Sequence, residues 1–139
     1  MTSNLLPAFP TCEPVFLAHI IGKPTTVNHS YGTAGTKSKN GRRHYRTEET
    51  KAWIDTVIYT AQNVLQHHPV TFVPPLHVLF LFIGVTGDIS NYIKATEDGL
   101  KVAIGIDDKF FHPLTIDKRR KACGENKGAI IAIWNAYQS

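Results

Sequence analysis

The sequence predicts a small single domain of the α+β class (mixed α/β content), with two helices packed on one mixed β-sheet. Three observations carry that prediction. Leu76–Ile83 is a near-continuous apolar run, too short for a buried helix and dense enough for a central strand covered on both faces. Before it, Trp53, Ile54, Val57, Ile58, Ala61, Val64 and Leu65 recur at helical spacing. After it, Ile89, Ile93, Thr96, Leu100, Ala103 and Ile104 do the same. The chain of 139 residues is long enough to bury a sizeable core in one domain.

The elements follow in order. Residues 1–14 hold Pro7, Pro10 and Pro14 and few charges, and read as a flexible tail; residues 15–139 read as the folded domain. Residues 15–21 form a strand. Residues 22–41 are rich in turn formers (Asn28, Gly32, Gly35, Asn40, Gly41), which predicts a mobile loop. Residues 43–46 make a short strand that leads to Thr47, a suitable N-cap, with Glu48 and Glu49 in the dipole-favoured first turn. This helix runs to about His67-His68-Pro69, and Pro74-Pro75 breaks the chain before the central strand. Gly87-Asp88 then marks the start of the second helix, with Asp88 placed to cap it, and Gly105 marks its end. Asn91, Lys94, Ala95 and Asp98 fall opposite its apolar stripe and are expected to face outward. Residues 114–121 and 129–134 complete the order β-β-α-β-α-β-β.

Charge is unevenly spread over a chain whose net charge is +4. Residues 23–51 carry seven Lys/Arg against two Glu, and residues 109–127 carry six against Asp117 and Glu125. Residues 52–108 carry only two Lys against six acids. An acidic middle between two basic arms suits a metal site flanked by phosphate-binding surface, although a solvated face of ordinary Lys and Arg has the same composition. Cys12 and Cys123 stand alone, without a Cys-x-x-Cys pair, and read as free thiols in a reducing cytoplasm, bacterial or of a phage-infected host. Residues 1–13 lack the basic and apolar regions of a signal peptide, and the longest apolar run is far too short to span a membrane.

The chemistry concentrates between Asp88 and Asp108. Asp88 follows a buried strand, the place where sites of α/β proteins collect, yet an acid there also serves as a helix cap. If residues 88–90 are extended, Asp88 and Ser90 point the same way. Asp107 and Asp108 are adjacent acids that repel one another, a repulsion a divalent cation would relieve; a plain turn is the alternative. Lys94 is placed either to contact a phosphate or to pair with Asp98 four residues on, and Asp98 is either structural or supporting. Carboxylates at both ends of a helix in a basic chain suggest a hard metal ion working on a phosphate backbone.

The pattern Asp88-x-x-Asn91-x-x-Lys94-x-x-x-Asp98-x-Leu100, followed by Asp107-Asp108, resembles the signature of the RusA-like Holliday junction resolvases. These are small Mg²⁺-dependent endonucleases common in phages and prophages. Their signature reads Asp-x-Asp-Asn-x-x-Lys-x-x-x-Asp-x-Leu, a short spacer, then Asp-Asp. Upstream, Gly22-Lys23-Pro24-Thr25-Thr26-Val27-Asn28 is similar to that family's first strand and the turn after it, and Tyr45-Arg46-Thr47-Glu48 to the entry of its first helix. The resemblance covers residues 16–136 in order and spacing.

It implies a structure-selective DNA endonuclease that resolves four-way junctions by paired nicks in recombination and repair, acting as a homodimer on branched DNA and leaving ligatable ends. It implies Mg²⁺, with Mn²⁺ able to substitute, held by Asp88, Asp107 and Asp108. Lys94 would act on the transition state, with Ser90, Asn91 and Asp98 in support. Asn28, Lys37, Lys39, Arg42, Arg43, Arg46, Lys118 and Arg120 would bind DNA; the last two share one face of a predicted strand. One position departs from the signature: Ser90 stands where the family has a second acid, and a hydroxyl is a poor ligand beside a carboxylate. Three arrangements accommodate it: a shell completed by water and the later acids, a single metal instead of two, or a protein that binds junctions and cuts them poorly. Two rival functions follow, a DNA-binding protein with a weakened site and a Mg²⁺-dependent nucleotide hydrolase. The second is disfavoured by the absence of a Gly-x-x-x-x-Gly-Lys-Ser/Thr loop.

Overall fold

The computed structural model describes residues 12–25, 31–33, 44–46, 48–86 and 89–135; segments 31–33 and 44–46 and residues 90 and 91 are described by their backbone alone. The elements are β1 (Phe16–Ile21), β2 (Tyr31–Thr33), β3 (His44–Arg46), α1 (Glu48–His67), β4 (Leu76–Ile83), α2 (Ile93–Ile104), β5 (Phe111–Arg119) and β6 (Gly128–Asn135). Short 3₁₀ turns, Ile89–Tyr92 and Asp108–Phe110, stand before and after α2. This is the α+β architecture the sequence predicts, a mixed sheet with two helices, with one strand more than expected. The extra strand is β2, inside the stretch read as a loop; it pairs antiparallel with β3 as a ribbon apart from the main sheet.

The main sheet has the order β1-β6-β4-β5. β6 runs antiparallel to both β1 and β4, while β4 and β5 are parallel and joined by the α2 crossover. β4 lies inside the sheet; Leu76, Val78, Phe80 and Phe82 on one face and Ile83 on the other are fully buried, while Leu79 and Leu81 are only half-buried, so the second face is covered in part and not throughout as the apolar run predicts. β1 is an edge strand with strict alternation: Phe16, Ala18 and Ile20 point into the core, and Leu17, His19 and Ile21 point out. Helix α1 closes the core with Trp53, Val57 and Ala61. The Trp53 indole N–H donates to Thr96 Oγ1 at 3.0 Å, and the Thr96 hydroxyl donates to the Tyr92 carbonyl at 3.1 Å, so the two helices are tied through a buried polar relay.

Four sequence readings need correction. The helical stretch begins at Ile89, the residue after Asp88, as a 3₁₀ turn, and becomes helix α2 only at Ile93, whose N-cap Tyr92 has no capping side chain; Asp88, read as the cap, lies outside the described residues. Ala95 and Asp98, expected on the solvent side of α2, are buried. The reason is a second neighbour: α1 packs on the face carrying Gly99, where a Cβ would stand 2.9 Å from the Val57 side chain, so the buried arc is wider than the apolar stripe. Strand β5 starts and ends earlier than read, so Arg120 and Lys121 follow it instead of alternating along it. At the N-terminus, the Trp134 indole N–H donates to the Cys12 carbonyl at 2.8 Å, and the Val15 N–H donates to Ile133 at 2.8 Å, so the described part of the supposed tail is fastened to β6. The predicted stop at Gly105 holds: φ is +73°, a left-handed cap that glycine adopts without strain, and its N–H donates to Lys101.

Candidate functional site

The parallel register sets the frame. Leu76 pairs with Phe111 and Ile83 with Arg119, so β4 and β5 begin at the same end and run the same way. Asp107 and Asp108 enter β5 at the end where β4 begins. Val85 and Thr86, which lead toward Asp88, leave at the other end, about 23 Å along the strands. Helix α2 carries the chain back between the two. The Tyr92 hydroxyl donates to the Thr86 carbonyl at 2.7 Å, and its ring lies 5.5 Å from that of Phe82, which pins the exit from β4 to the start of α2.

Along α2 the charged residues form a ladder. Lys94 Nζ lies 3.2 Å from Asp98 Oδ1. Lys101 Nζ lies 3.9 Å from the same oxygen and 3.8 Å from Asp108 Oδ2. Lys101 therefore ties the helix to the turn that carries the acidic pair. Asp98 is only 8% exposed, an unusual place for a carboxylate and one its two ammonium partners make tolerable. The bond to Asp98 and the charge behind it raise the pKa of Lys94, so this half-exposed ammonium stays protonated. Glu97 points toward the same acids; burial first, then the Asp108 charge, pushes its carboxyl up.

The acidic pair itself is partly satisfied by the chain. Asp107 caps the 3₁₀ turn Asp108–Phe110: the Lys109 N–H donates to its Oδ1 at 3.2 Å. That bond first, together with the side-chain interaction with Asp108 and the Lys101 and Lys109 charges, holds the Asp107 carboxyl below the ordinary carboxylate range. Asp107 is exposed and ionised; Asp108 is half-buried against Lys101. Among the described residues, no group of three or more His, Cys, Asp or Glu is arranged to hold a metal ion. Two adjacent carboxylates nevertheless fit Mg²⁺, which keeps several waters and takes one or two protein carboxylates beside substrate phosphate.

Of the residues singled out in the sequence, the structure thus brings Lys94, Asp98, Asp107 and Asp108 into one connected set. Asp88 lies outside the described residues, as do Asn28, Lys37, Lys39, Arg42 and Arg43. Ser90 and Asn91 are in the backbone of the 3₁₀ turn before α2, and Arg46 ends β3 opposite Tyr31. Lys118 and Arg120 border one cavity of about 480 Å³ at the far end of β5, which also touches Arg119, Val85 and Thr86. Three consecutive basic residues line it, against the expectation that alternate ones would face apart, because the strand ends at Arg119. The sequence reading missed Lys101 and Glu97. Lys101 was accessible: it stands three residues after Asp98 and seven after Lys94, on the same helix face.

No protein-family model and no curated protein matches this chain. Among the described residues no helix is long and apolar enough to cross a membrane.

Proposed function

We propose that the protein is a Mg²⁺-dependent, structure-selective DNA endonuclease of the RusA-like kind, acting as a homodimer on four-way junctions. One observation carries the reading. Lys94, Asp98 and Asp108, spread over fifteen positions of the resembling motif, are linked through Lys101 into a single ion-pair ladder. Lys94, Asp98 and Lys101 meet as i, i+4 and i, i+3 neighbours on one helix; what the fold adds is the Lys101–Asp108 contact, which brings the acidic turn to that face.

Asp107 and Asp108 would hold the cation at the start of β5, and Asp88, carried by the segment that leaves β4 at the other end of the strands, would serve the motif's remaining acidic role without sharing that pair's shell within one protomer. Bound there, Mg²⁺ would supply Lewis acidity toward a water and a scissile phosphate oxygen. Asp107 is suited to that duty because the Lys109 N–H keeps it ionised. Lys94 would turn from Asp98 to the phosphate and stabilise charge on a phosphorane-like transition state. Asp98 would hold the ammonium ready, and Lys101 would keep Asp108 beside the helix.

The test is nicking of a labelled synthetic four-way junction and of linear duplex, with and without Mg²⁺, by the wild type, Asp88→Asn and Asp108→Asn. Junction-selective, Mg²⁺-dependent nicking that both variants lose at least a hundredfold while still binding supports the enzyme. Ser90 favours a second reading, a junction-binding protein with a weakened site. Tight junction binding without nicking in Mg²⁺ or Mn²⁺ would establish that reading and remove the enzyme.

A further inference from the structure

The end of β4 opposite the acidic pair holds a second group of charges. Gly84 leaves β4 at φ +77°, a backbone setting that favours glycine. Two basic side chains lie over it: a Cβ at this position would stand 3.1 Å from Lys127 Cγ and 3.3 Å from Lys121 Cβ. Their stems cover the backbone and leave the ammonium groups toward solvent. A cavity of about 130 Å³ opens beside them, between Lys23, Lys127, Thr86 and Tyr92. The larger cavity bordered by Lys118 and Arg120 lies on the other side of Val85 and Thr86, which wall both.

The loop that carries these residues is fastened at several points. Arg119 grips Glu125 with both terminal nitrogens, at 2.8 and 2.6 Å, and the Ala122 N–H donates to the same carboxylate at 2.8 Å. The Gly84 N–H donates to the Arg119 carbonyl at 3.0 Å, and the Gly22 N–H to the Lys127 carbonyl at 3.1 Å. Glu125 is thereby neutralised by Arg119. Among the described residues, Arg120, Lys121 and Lys127 have no carboxylate partner, and Lys23 has only a surface contact with Glu49 at 3.5 Å. Among the described residues, positive charge is thus collected and held in place here with little acid to balance it.

We infer that Lys121 and Lys127, set over Gly84, form a phosphate-binding subsite for the nucleic-acid backbone. The inference rests on the proposed function and extends it: the acidic pair would address the reacting phosphate, and this cluster, at the other end of the strands, would hold phosphates several nucleotides away. Thr86 offers a hydroxyl in the shared wall, and the Arg119–Glu125 fork holds the loop in place before the ligand arrives, which lowers the entropy cost of binding.

The experiment is fluorescence anisotropy of a labelled four-way junction, without divalent metal, across a salt series from about 50 to 200 mM. Wild type, Lys121→Gln/Lys127→Gln and Lys121→Arg/Lys127→Arg are compared; both residues are exposed and the variants keep their stems. The glutamine variant is expected to bind at least tenfold more weakly, with a log–log salt slope shallower by about 2, one unit for each lost phosphate contact, while the arginine variant keeps wild-type slope and affinity. A wild type that binds with steep salt dependence, beside a glutamine variant of equal slope and affinity, would overturn the subsite and leave the proposed function standing. Equal losses in the arginine variant would also overturn it, since shape and not charge would then matter. A wild type that binds no nucleic acid at all would remove both readings.

Discussion

Two systems of ion pairs stand at opposite ends of β5, and they are built differently. At the start of the strand, lysines share carboxylates loosely, at 3.2 to 3.9 Å, and Lys101 divides itself between Asp98 and Asp108. At its end, Arg119 meets Glu125 fork to fork, at 2.6 and 2.8 Å, with a backbone N–H completing the set. A guanidinium fixes its partner in one plane, whereas an ammonium on a flexible stem can exchange one oxygen for another. The fork is therefore a fastener and the ladder a set of exchangeable contacts. The first suits a loop that must hold its shape, and the second suits a cation that must turn to an incoming phosphate.

The comparison breaks most visibly at Lys94. Lys94→Gln is expected to slow single-turnover junction nicking by about 100- to 1,000-fold with little change in unfolding midpoint. Lys94→Arg sharpens it: a guanidinium in this place would grip Asp98 as Arg119 grips Glu125, so the rate should stay low although the charge is kept. A fully active arginine variant would mean that exchange of partners is not what matters here.

The next effect is on stability. Asp98 anchors both lysines from a buried position, and Asp98→Ala is expected to cost about 1–2 kcal/mol in urea-induced unfolding. Wild-type stability in this variant would make the ladder a surface ornament.

The smallest effect separates the two systems by pH. Arg119 first, and then the Ala122 N–H, hold the Glu125 carboxyl at about 2, against an ordinary value of 4.5. A depressed carboxylate contributes fully above its unfolded pKa and loses that contribution as pH falls through the folded one. The Ala122 amide shift in NMR spectra reports the folded carboxyl, so it should be constant down to about pH 3 and reach half of its change near pH 2. Movement complete by pH 4 would show that the fork does not hold in solution.

How far these features could be read in the sequence depends on what encodes them. The core of β4 was legible because a near-continuous apolar run, interrupted by His77, marks an interior strand, although its second face is only partly covered. Helix α1 was legible from its stripe and from Glu48 and Glu49 at its start. Strand β2 was not, since Tyr31-Gly32-Thr33 is too short to show a period and owes its state to pairing with β3. The buried side of α2 was misjudged because periodicity locates a stripe and says nothing of a second neighbour; Ala95 and Gly99 carry no strong signal, and a charged residue such as Asp98 argues for exposure until its partners are known. Lys94, Asp98, Asp107 and Asp108 were found through a motif, and their connection through Lys101 only through the fold. Nothing local links Lys121 and Lys127 to Gly84, some forty residues earlier in the chain; only the return of β5 and β6 brings them together.

Gly99 has a consequence of another kind. With no side chain of its own, it lets Val57 approach to where a Cβ would stand, and the Ile54 carbonyl is nearly as close. Positions 57 and 99 therefore share one volume. Any diversification of this chain, natural or in a library, can enlarge one of them only by shrinking the other. The rotational setting of α2, and with it the direction in which Lys94 and Lys101 project, is inherited through that exchange between two residues that carry no charge.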